Sequence, residues 1–314
     1  MGDGTVSGRL DGRHAVVAGL GLSGMAAADA LIALGAEVTV LDDDPGLTDR
    51  AGLLESLDAT VRLGVGATAR LPEECDLLVL STGWSGTEPL AVEAAGRGVA
   101  VWSEVELAWR LHSLGATVPW VGVAGERDRV EVARLVTAML SAGGLRVAEA
   151  GSCGRPVVEA VLDDAPRDVI VVELSAAQLR GVESMALHSA AVLASGSDDA
   201  DLARCYERVT HACVYNVEDP ATEDMVAEAE VTEGARAIGF TTAIPAISMV
   251  GVVDDLIVDR AFVAQRHSSA LELAKVDQAG GRVAQAAAAA ALARSLKVPA
   301  QAVAAGLRAV NDRD

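Results

Sequence analysis

Lysine is almost absent from this chain of 314 residues. Of its 25 basic residues only Lys275 and Lys297 are lysines, so residues 1–274 contain none. Lysine is the usual phosphate ligand of nucleotide loops and the residue that forms Schiff bases and carbamates. That stretch can therefore support none of these lysine-dependent chemistries, whatever the cause of the arginine bias.

The chain also lacks paired cysteines and clustered histidines. Its four cysteines form no Cys-x-x-Cys pair and lie near no group of histidines; they are Cys75, Cys153, Cys205 and Cys213. This spacing is typical of reduced, mostly buried thiols rather than of a metal site. His188 and His211 have no partner at metal-ligand spacing, so we expect both to be structural. No metal site is predicted.

Positive charge is in deficit as well. The net charge is 25 − 45 = −20, which disfavours a nucleic-acid backbone or an anionic membrane as a partner. The N-terminus shows no signal peptide, and the longest apolar run, residues 284–292, includes Gln285 and is too short to span a bilayer. We expect a cytoplasmic protein with a solubilising acidic surface.

Strand-like and helix-like segments alternate over the first hundred residues, beginning with a strand at His14–Gly19. This order predicts an α/β fold whose first domain is a Rossmann-like, doubly wound parallel sheet. The pattern starts again at Val118, so we place a boundary near residue 116 and expect domains at residues 1–116 and 117–314. Residues 235–270 consist of short β-like runs, as in a hairpin-rich insertion.

A Gly-x-Gly-x-x-Gly motif follows the first strand and opens a helix. Its sequence is Gly19-Leu20-Gly21-Leu22-Ser23-Gly24, and the second strand ends at Asp42 and Asp43. Such a turn offers a helix N-terminus to a diphosphate and an acid to a ribose or sugar hydroxyl. We predict anion or nucleotide binding here. The alternative is that the glycines serve only the tight packing of helix against sheet.

A polar loop follows the strand at Leu77–Leu80. Its residues are Ser81, Thr82, Gly83 and Trp84. They lie at the carboxyl edge of the same predicted sheet, where open α/β folds bind their ligands. Trp84 could stack on a ring of the ligand or cap the sheet. We include all four residues in the predicted binding site.

The second unit has a strand, a turn and a helix where a nucleotide phosphate loop is expected. The turn consists of Gly125, Glu126, Arg127, Asp128, Arg129 and Val130. Such a loop needs a Lys for the β- and γ-phosphates and a Ser or Thr for magnesium, but Arg129 and Val130 stand in their places. Carboxylates within roughly 5 Å of a phosphate each cost about 1–3 kcal/mol at an effective dielectric of about 20. We predict that this turn holds no triphosphate.

Glu173 ends an apolar strand, in the run Val171-Val172-Glu173-Leu174-Ser175. A carboxylate at the carboxyl end of a strand is a suitable ligand for Mg²⁺. Because the rest of a metal site is missing from the sequence, we favour an acid paired with a nearby arginine.

These motifs, taken in order, resemble the Mur ligase family, and in particular the D-glutamate-adding ligases of peptidoglycan synthesis. Residues 17–24 are similar to the family's uridine-nucleotide loop, 80–84 to its second loop and 102–108 to its interdomain helix. Residues 171–175 resemble the magnesium-glutamate strand, and residues 214–220 a later strand and turn. The resemblance covers nearly the whole chain and implies a central, ATP-binding type of domain after the Rossmann-like one.

The chain departs from the family at the catalytic positions. Residues 125–131 replace the ATP-binding Gly-Thr-Asn-Gly-Lys-Thr-Thr, and residues 151–154 replace Gly-Asn-x-Gly. Residues 195–201 form a shortened segment that lacks the metal histidine and precedes no carbamylated lysine. The adenine-side motif, His-Asn-x-x-Asn, is replaced by residues 280–285. Four parts of the ligation apparatus are therefore altered together.

The resemblance, with these departures, predicts a catalytically silent homologue that uses neither ATP nor Mg²⁺, because a shielded acyl-phosphate requires both. The family's third domain would begin near residue 310, and we expect it to be absent. The first domain would bind a UDP-sugar or another anion. The protein would serve in binding, scaffolding or regulation linked to the cell wall or a specialised pathway, with a protein partner or a homo-oligomer as the two expected assemblies.

Two alternatives stay open. The first is an enzyme, either a working D-glutamate ligase or a repurposed one with ATP-independent chemistry. The second is an oxidoreductase that uses a nicotinamide cofactor, suggested by Gly19-Leu20-Gly21. It is disfavoured because no Lys, Tyr or His stands at a plausible hydride-transfer site.

Overall fold

The computed structural model describes residues 10–113, 115 and 117–312. Their contacts divide the chain into two compact units, each with its own sheet. The first unit holds the described part of residues 1–117 together with two later segments, 154–164 and 177–185. The second unit holds the remaining described residues from Val118 onward. A single boundary near residue 116 does not anticipate that the two later segments pack with the first unit.

The strands and helices follow one another in α/β order. The strands are β1 (His14–Ala18), β2 (Glu37–Asp42), β3 (Thr60–Leu63), β4 (Leu77–Leu80), β5 (Ala100–Ser103), β6 (Trp120–Ala124), β7 (Val147–Gly151), β8 (Val169–Leu174), β9 (Ser189–Val192), β10 (Ala212–Asn216), β11 (Arg236–Phe240), β12 (Met249–Val253), β13 (Leu256–Asp259) and β14 (Leu271–Lys275). The helices are α1 (Leu22–Ala33), α2 (Thr48–Glu55), α3 (Pro89–Gly96), α4 (Glu104–His112), α5 (Arg129–Ala142), α6 (Val157–Leu162), α7 (Ala176–Arg180), α8 (Asp199–Ala203), α9 (Pro220–Glu228), α10 (Val283–Ser295) and α11 (Ala300–Asn311).

The first unit is built on a parallel sheet with the strand order β3-β2-β1-β4-β5. Strands β1 and β4 lie inside the sheet and are apolar along their length, as parallel strands covered on both faces must be. Val16, Leu41, Leu78 and Leu90 belong to the core on one side. This is the predicted doubly wound sheet. Its carboxyl edge brings together the loops that follow β1, β2 and β4.

Two buried carboxylates on α4 hold the later segments in the first unit. Glu104 Oε1 accepts the backbone N–H of Val158, at 2.6 Å. Glu106 Oε2 accepts the backbone N–H groups of Glu183 at 2.9 Å and of Ser184 at 3.0 Å. Hydrogen-bonded carboxylates are the usual way in which acidic side chains become fully buried. Both acids are therefore part of the scaffold of this unit.

The second unit has a nine-stranded sheet in the order β14-β13-β12-β11-β10-β9-β6-β8-β7. The strands from β7 to β12 run parallel, and β13 and β14 continue antiparallel. Residues 235–270 do contain the predicted hairpin, but they extend the main sheet instead of forming an insertion. The alanine-rich helix α10 is buried within the core of this unit. No helix in the described part of the chain is long and apolar enough to cross a membrane.

The cysteines and histidines have structural surroundings, with one exception. Cys205 and Cys213 are buried and Cys75 is half-buried, but Cys153 is exposed, contrary to the expectation of mostly buried thiols. Burial raises the pKa of Cys213 to about 12, which keeps that thiol protonated. His188 and His211 stack with ring centroids 4.7 Å apart. Among the described residues no group of His, Cys, Asp and Glu side chains is placed to hold a metal ion.

Candidate functional site

The turn between β6 and α5 has the strand–turn–helix geometry of a phosphate loop. β6 is buried along its whole length, and the turn begins at the buried Gly125. Asp128 precedes the helix with a φ of 64°, a left-handed conformation that Asp adopts more readily than most residues. Arg129, rather than Val130, is the first residue of α5. Arg127 lies exposed within the turn.

The guanidinium of Arg129 spans the turn and reaches the end of β8. Its Nε donates to Glu173 Oε2 at 3.0 Å, and Nη2 donates to Ser152 Oγ at 3.0 Å. Its Nη1 donates to the carbonyl oxygens of Gly125 at 3.2 Å and Glu126 at 3.1 Å. The side chains of Arg129 and Glu173 are only 18% and 4% exposed. The guanidinium of Arg129 thus donates to protein acceptors both within the turn and outside it.

Both carboxylate oxygens of Glu173 are occupied by protein donors. Oε2 accepts from Arg129 and from Ser152 Oγ, the latter at 2.7 Å, and Oε1 accepts the backbone N–H of Cys153. The sequence favoured an acid paired with a nearby arginine, and Arg129 is that partner. A magnesium ion at Glu173 would have to displace these donors and lie beside a guanidinium. The surroundings of Glu173 therefore do not fit a magnesium ion.

The two acids of the turn accept hydrogen bonds from neighbouring segments. Glu126 Oε1 accepts the backbone N–H and the hydroxyl of Ser197, both at 3.1 Å. Asp128 Oδ2 accepts from Gln285 Nε2 at 3.2 Å. Ser197 and Gln285 both belong to segments that depart from the family pattern. Three of the altered segments therefore contact one another through side chains that the family pattern lacks.

A cavity of about 480 Å³ lies beside this turn. It is lined by Glu126, Asp128, Arg129, Val130, Glu131, Arg134, Cys153, Arg282 and Val310. Arg282 Nη1 donates to Glu131 Oε1 at 2.8 Å, and Nη2 donates to Asn311 Oδ1. In the sequence Arg282 stands out only as part of a replaced motif, and its pairing with Glu131 was not predicted. Ion pairs inside the second unit thus fill two places that resemble nucleotide-contacting positions of the family.

The glycine motif of the first unit serves two purposes. Gly19 has a φ of 92°, and a Cβ there would lie 2.1 Å from Ser81 Oγ and 2.7 Å from Trp84 Nε1. A Cβ on Gly24 would lie 1.9 Å from the carbonyl oxygen of Gly19. Both positions require glycine for packing. Gly21 instead faces open space directly before α1, which begins without a side-chain cap. An anion could approach the helix N-terminus at Gly21.

The loop after β4 is attached to this motif. Ser23 Oγ accepts the backbone N–H of Thr82 at 2.8 Å, which ties the start of α1 to the loop. Trp84 is half-buried and packs against the core of the first unit. That position agrees with the capping role considered for Trp84, whereas Gly83 is exposed. Residues 81–83 therefore lie beside the N-terminus of α1, as the sequence predicted.

The acids after β2 are bound to backbone groups near them. Asp42 accepts the N–H of Leu20 at 2.6 Å and that of Asp44 at 2.9 Å. Asp43 accepts the N–H of Thr68 at 3.0 Å and its hydroxyl at 2.8 Å. The hydrogen bonds from Thr68 hold the pKa of Asp43 below its usual value. A role for Asp42 or Asp43 in binding a sugar hydroxyl stays a prediction, while both acids visibly shape the loop.

Two solved structures with a similar fold are ligases that act on UDP-N-acetylmuramate. One is a UDP-N-acetylmuramate:L-alanyl-γ-D-glutamyl-meso-diaminopimelate ligase from Neisseria meningitides, with a TM-score of 0.55, 15% identity and coverage of 95% of this chain and 98% of that chain. Another is a UDP-N-acetylmuramate–alanine ligase from Thermotoga maritima, with a TM-score of 0.50, 14% identity and coverage of 95% and 68%. At such identities the likeness establishes the Mur ligase fold alone. No family model matches the chain.

Curated relatives identify the branch within this class. UDP-N-acetylmuramoylalanine–D-glutamate ligase from Streptomyces avermitilis is 46% identical over 315 residues, which is 95% of this chain and 67% of that protein. The corresponding ligase from Thermobifida fusca is 41% identical over 95% of this chain and 67% of its own length. The chain belongs to the family of UDP-N-acetylmuramoylalanine–D-glutamate ligases, and it spans about two thirds of the length of these relatives. This membership supports a peptidoglycan ligase better than it supports a catalytically silent homologue or an oxidoreductase.

Proposed function

We propose that this family member binds a UDP-N-acetylmuramoyl-type nucleotide sugar through its first unit and does not ligate D-glutamate with ATP. It would then serve as a binding, scaffolding or regulatory protein linked to cell-wall synthesis. The observation that carries the proposal is the ion pair between Arg129 and Glu173. These residues stand where the resembling ligases have a phosphate-binding lysine and a magnesium-binding glutamate.

The energetic cost of opening this pair opposes ATP binding. Removing one partner from a buried, hydrogen-bonded ion pair costs about 3–5 kcal/mol. A ligand with a Kd of about 1 µM gains only about 8 kcal/mol in total. Magnesium-ATP would have to part Arg129 from Glu173 or bind beside the intact pair without a ligand from Glu173. That cost falls only as far as the phosphates and Mg²⁺ replace the lost partners, so the intact pair argues against micromolar, magnesium-dependent binding.

The N-terminus of α1 supports binding of a nucleotide diphosphate sugar. The helix has 12 residues and begins after the exposed Gly21, and no side chain caps its first N–H groups. Such an end carries about half a positive charge and free donors. The curated relatives are named for a UDP-N-acetylmuramoylalanine substrate. The same class of ligand is therefore proposed for this loop.

Thermal unfolding with UDP-N-acetylmuramoyl-L-alanine tests this half of the proposal. A ligand at a hundredfold excess over Kd stabilises the folded state by about 2.7 kcal/mol, which raises Tm measurably. Gly21→Glu should abolish the rise because a carboxylate then faces the diphosphate. Gly52→Glu is the matched control, since it adds the same charge where space is also open. No rise in Tm at millimolar ligand, or an equal rise in both variants, would contradict the proposal.

Ligation of D-glutamate is the second candidate function, and the 46% identity to curated ligases favours it. The two candidates differ in one assay. The chain is incubated with UDP-N-acetylmuramoyl-L-alanine, D-glutamate, ATP and Mg²⁺, and phosphate release is followed. Release that depends on both D-glutamate and the nucleotide sugar would establish ligation. Absence of release, while the nucleotide sugar still raises Tm, is the result that we expect.

A further inference from the structure

The first unit contains an apolar groove formed by α1, α2 and α6. Its volume is about 450 Å³. It is lined by Met25, Ala26, Asp29, Leu53, Leu54, Leu57, Arg155, Val158, Glu159, Leu162 and Asp163. None of these residues belongs to the phosphate-loop turn or to the glycine motif. The groove is a separate feature of the surface.

Exposed leucines converge on this groove. Among the described residues, the leucines that are strongly exposed are Leu22 at 61%, Leu53 at 61%, Leu57 at 45% and Leu162 at 50%. Three of them line the groove. Leu22 lies on the same face of α1 as Met25 and Asp29, since residues i, i+3 and i+7 align along a helix. Single exposed apolar side chains are ordinary, whereas three of them around one groove make it a candidate interaction surface.

Two acidic side chains at the groove have no partner. Arg155 Nη2 donates to Asp163 Oδ2 at 2.7 Å and to the carbonyl oxygen of Glu159 at 3.0 Å, so its charge is already compensated. The carboxylates of Asp29 and Glu159 are exposed and take part in no hydrogen bond or ion pair within the described residues. The groove therefore offers an apolar floor with uncompensated negative charge beside it.

We propose that this groove docks a short amphipathic helix of another protein. The apolar side chains of that helix would fill the groove, and its Arg or Lys side chains would pair with Asp29 and Glu159. Leu53 on α2, Leu57 in the turn after it and Leu162 on α6 offer separate apolar contacts for the anchors of a second helix. Charge decides against a second copy of this chain, because each copy carries a net charge of −20. The same carboxylates disfavour nucleotides and anionic membranes. The proposal is independent of nucleotide-sugar binding.

Selection from a phage-displayed library of helical peptides, randomised on one face, tests the proposal with the full chain as bait. Recovered peptides should combine Leu-type residues at i and i+4 with Arg or Lys beside them. Their Kd, measured by fluorescence anisotropy, should rise at least tenfold in Leu53→Asp and Leu162→Asp. Val65→Asp is the control, because Val65 is 99% exposed and lies outside the groove. A Tm equal to that of the parent protein confirms that each variant is folded.

A charge exchange separates docking from general attraction to an acidic protein. Asp29→Lys with Glu159→Lys should weaken a basic peptide at least tenfold and restore binding of the same peptide with its Arg and Lys changed to Glu. Equal binding to all variants would contradict the proposal, as would failure to recover any groove-dependent peptide. Self-association that Leu53→Asp abolishes, seen by analytical ultracentrifugation, would instead identify a second copy as the occupant and would overturn the proposal.

Discussion

Arg129 Nε lies 3.0 Å from Glu173 Oε2, and this contact joins the turn before α5 to the end of β8. The resemblance to the Mur ligases implies that these positions would serve the phosphates and the magnesium ion. Here Arg129 and Glu173 form an ion pair with each other. Ser152 and Cys153, from the loop after β7, complete the hydrogen bonds of the same carboxylate. The altered segments of the sequence thus form one connected network.

Loss of the Glu173 charge should destabilise the second unit. Glu173→Gln leaves the guanidinium of Arg129 without its carboxylate in a setting where the acid is only 4% exposed. We expect a loss of about 2–4 kcal/mol in the free energy of unfolding, measured with urea. Asp168→Asn is the control, since the ion pair of Asp168 with Arg146 is far more exposed. The control should lose clearly less, and an equal loss in both variants would refute a structural role for the buried pair.

The first glycine of the motif should be needed for stability. Gly19→Ala places a Cβ against Ser81 Oγ and Trp84 Nε1 at a positive φ, which should cost about 2–4 kcal/mol. Gly83→Ala has a similar φ of 104° but meets no atom within 4 Å, so it isolates the backbone strain. The difference between the two unfolding free energies measures the steric part. If the two substitutions cost the same, the tight packing of β1 against the loop after β4 is not required.

The sequence allowed the fold to be predicted because buried parallel strands and the longer helices carry strong patterns. Apolar runs such as Leu77–Leu80 predicted the central strands, and the resemblance to Mur ligases is confirmed by the relatives. The short helices that were not predicted include α2 with eight residues and α6 with six. So few residues give little periodicity. The groove could not be foreseen, because those two helices form most of it.

The pairing at the candidate site was only partly predictable. Because the rest of a metal site is missing from the sequence, an unspecified arginine was favoured as the partner of Glu173, and the structure identifies Arg129. The contact between Arg282 and Glu131 joins residues 151 positions apart and leaves no local signal in the sequence. The segment 177–185 joins the first unit through backbone N–H groups, which every residue has. Contacts of that kind can be found only in three dimensions.

Glu104 should make the protein less stable as pH rises. Burial raises the pKa of Glu104 from 4.5 to about 7 in the folded state. The folded state therefore binds this proton more tightly than the unfolded state does. The resulting contribution to stability is complete below pH 4.5 and is lost as pH rises to about 7. Glu104→Gln stays neutral at every pH. Above pH 7 its free energy of unfolding, measured with urea, should exceed that of the parent by at most about 3 kcal/mol. Parallel stability curves from pH 4.5 to 8 would contradict this assignment.

His188 should have the opposite effect at lower pH. Burial, and then the neighbouring His211, lower the pKa of His188 from 6.5 to about 4. The unfolded state then takes up the proton first, so the stability is complete above pH 6.5 and lost as pH falls to about 4. His188→Gln should flatten the stability curve in that window, while His267→Gln, at an exposed position, controls for loss of an imidazole. An unchanged slope in His188→Gln would show that the stacked pair does not titrate as described.

Isothermal titration calorimetry with ATP and Mg²⁺ tests the central claim most directly. The full chain is titrated alone and again after saturation with UDP-N-acetylmuramoyl-L-alanine, because the nucleotide sugar could alter the turn. The account predicts no saturable heat at micromolar to submillimolar ATP in either experiment, since Arg129 and Glu173 remain paired. Binding with a micromolar Kd that EDTA abolishes would contradict it and would establish a functional ATP site in the second unit.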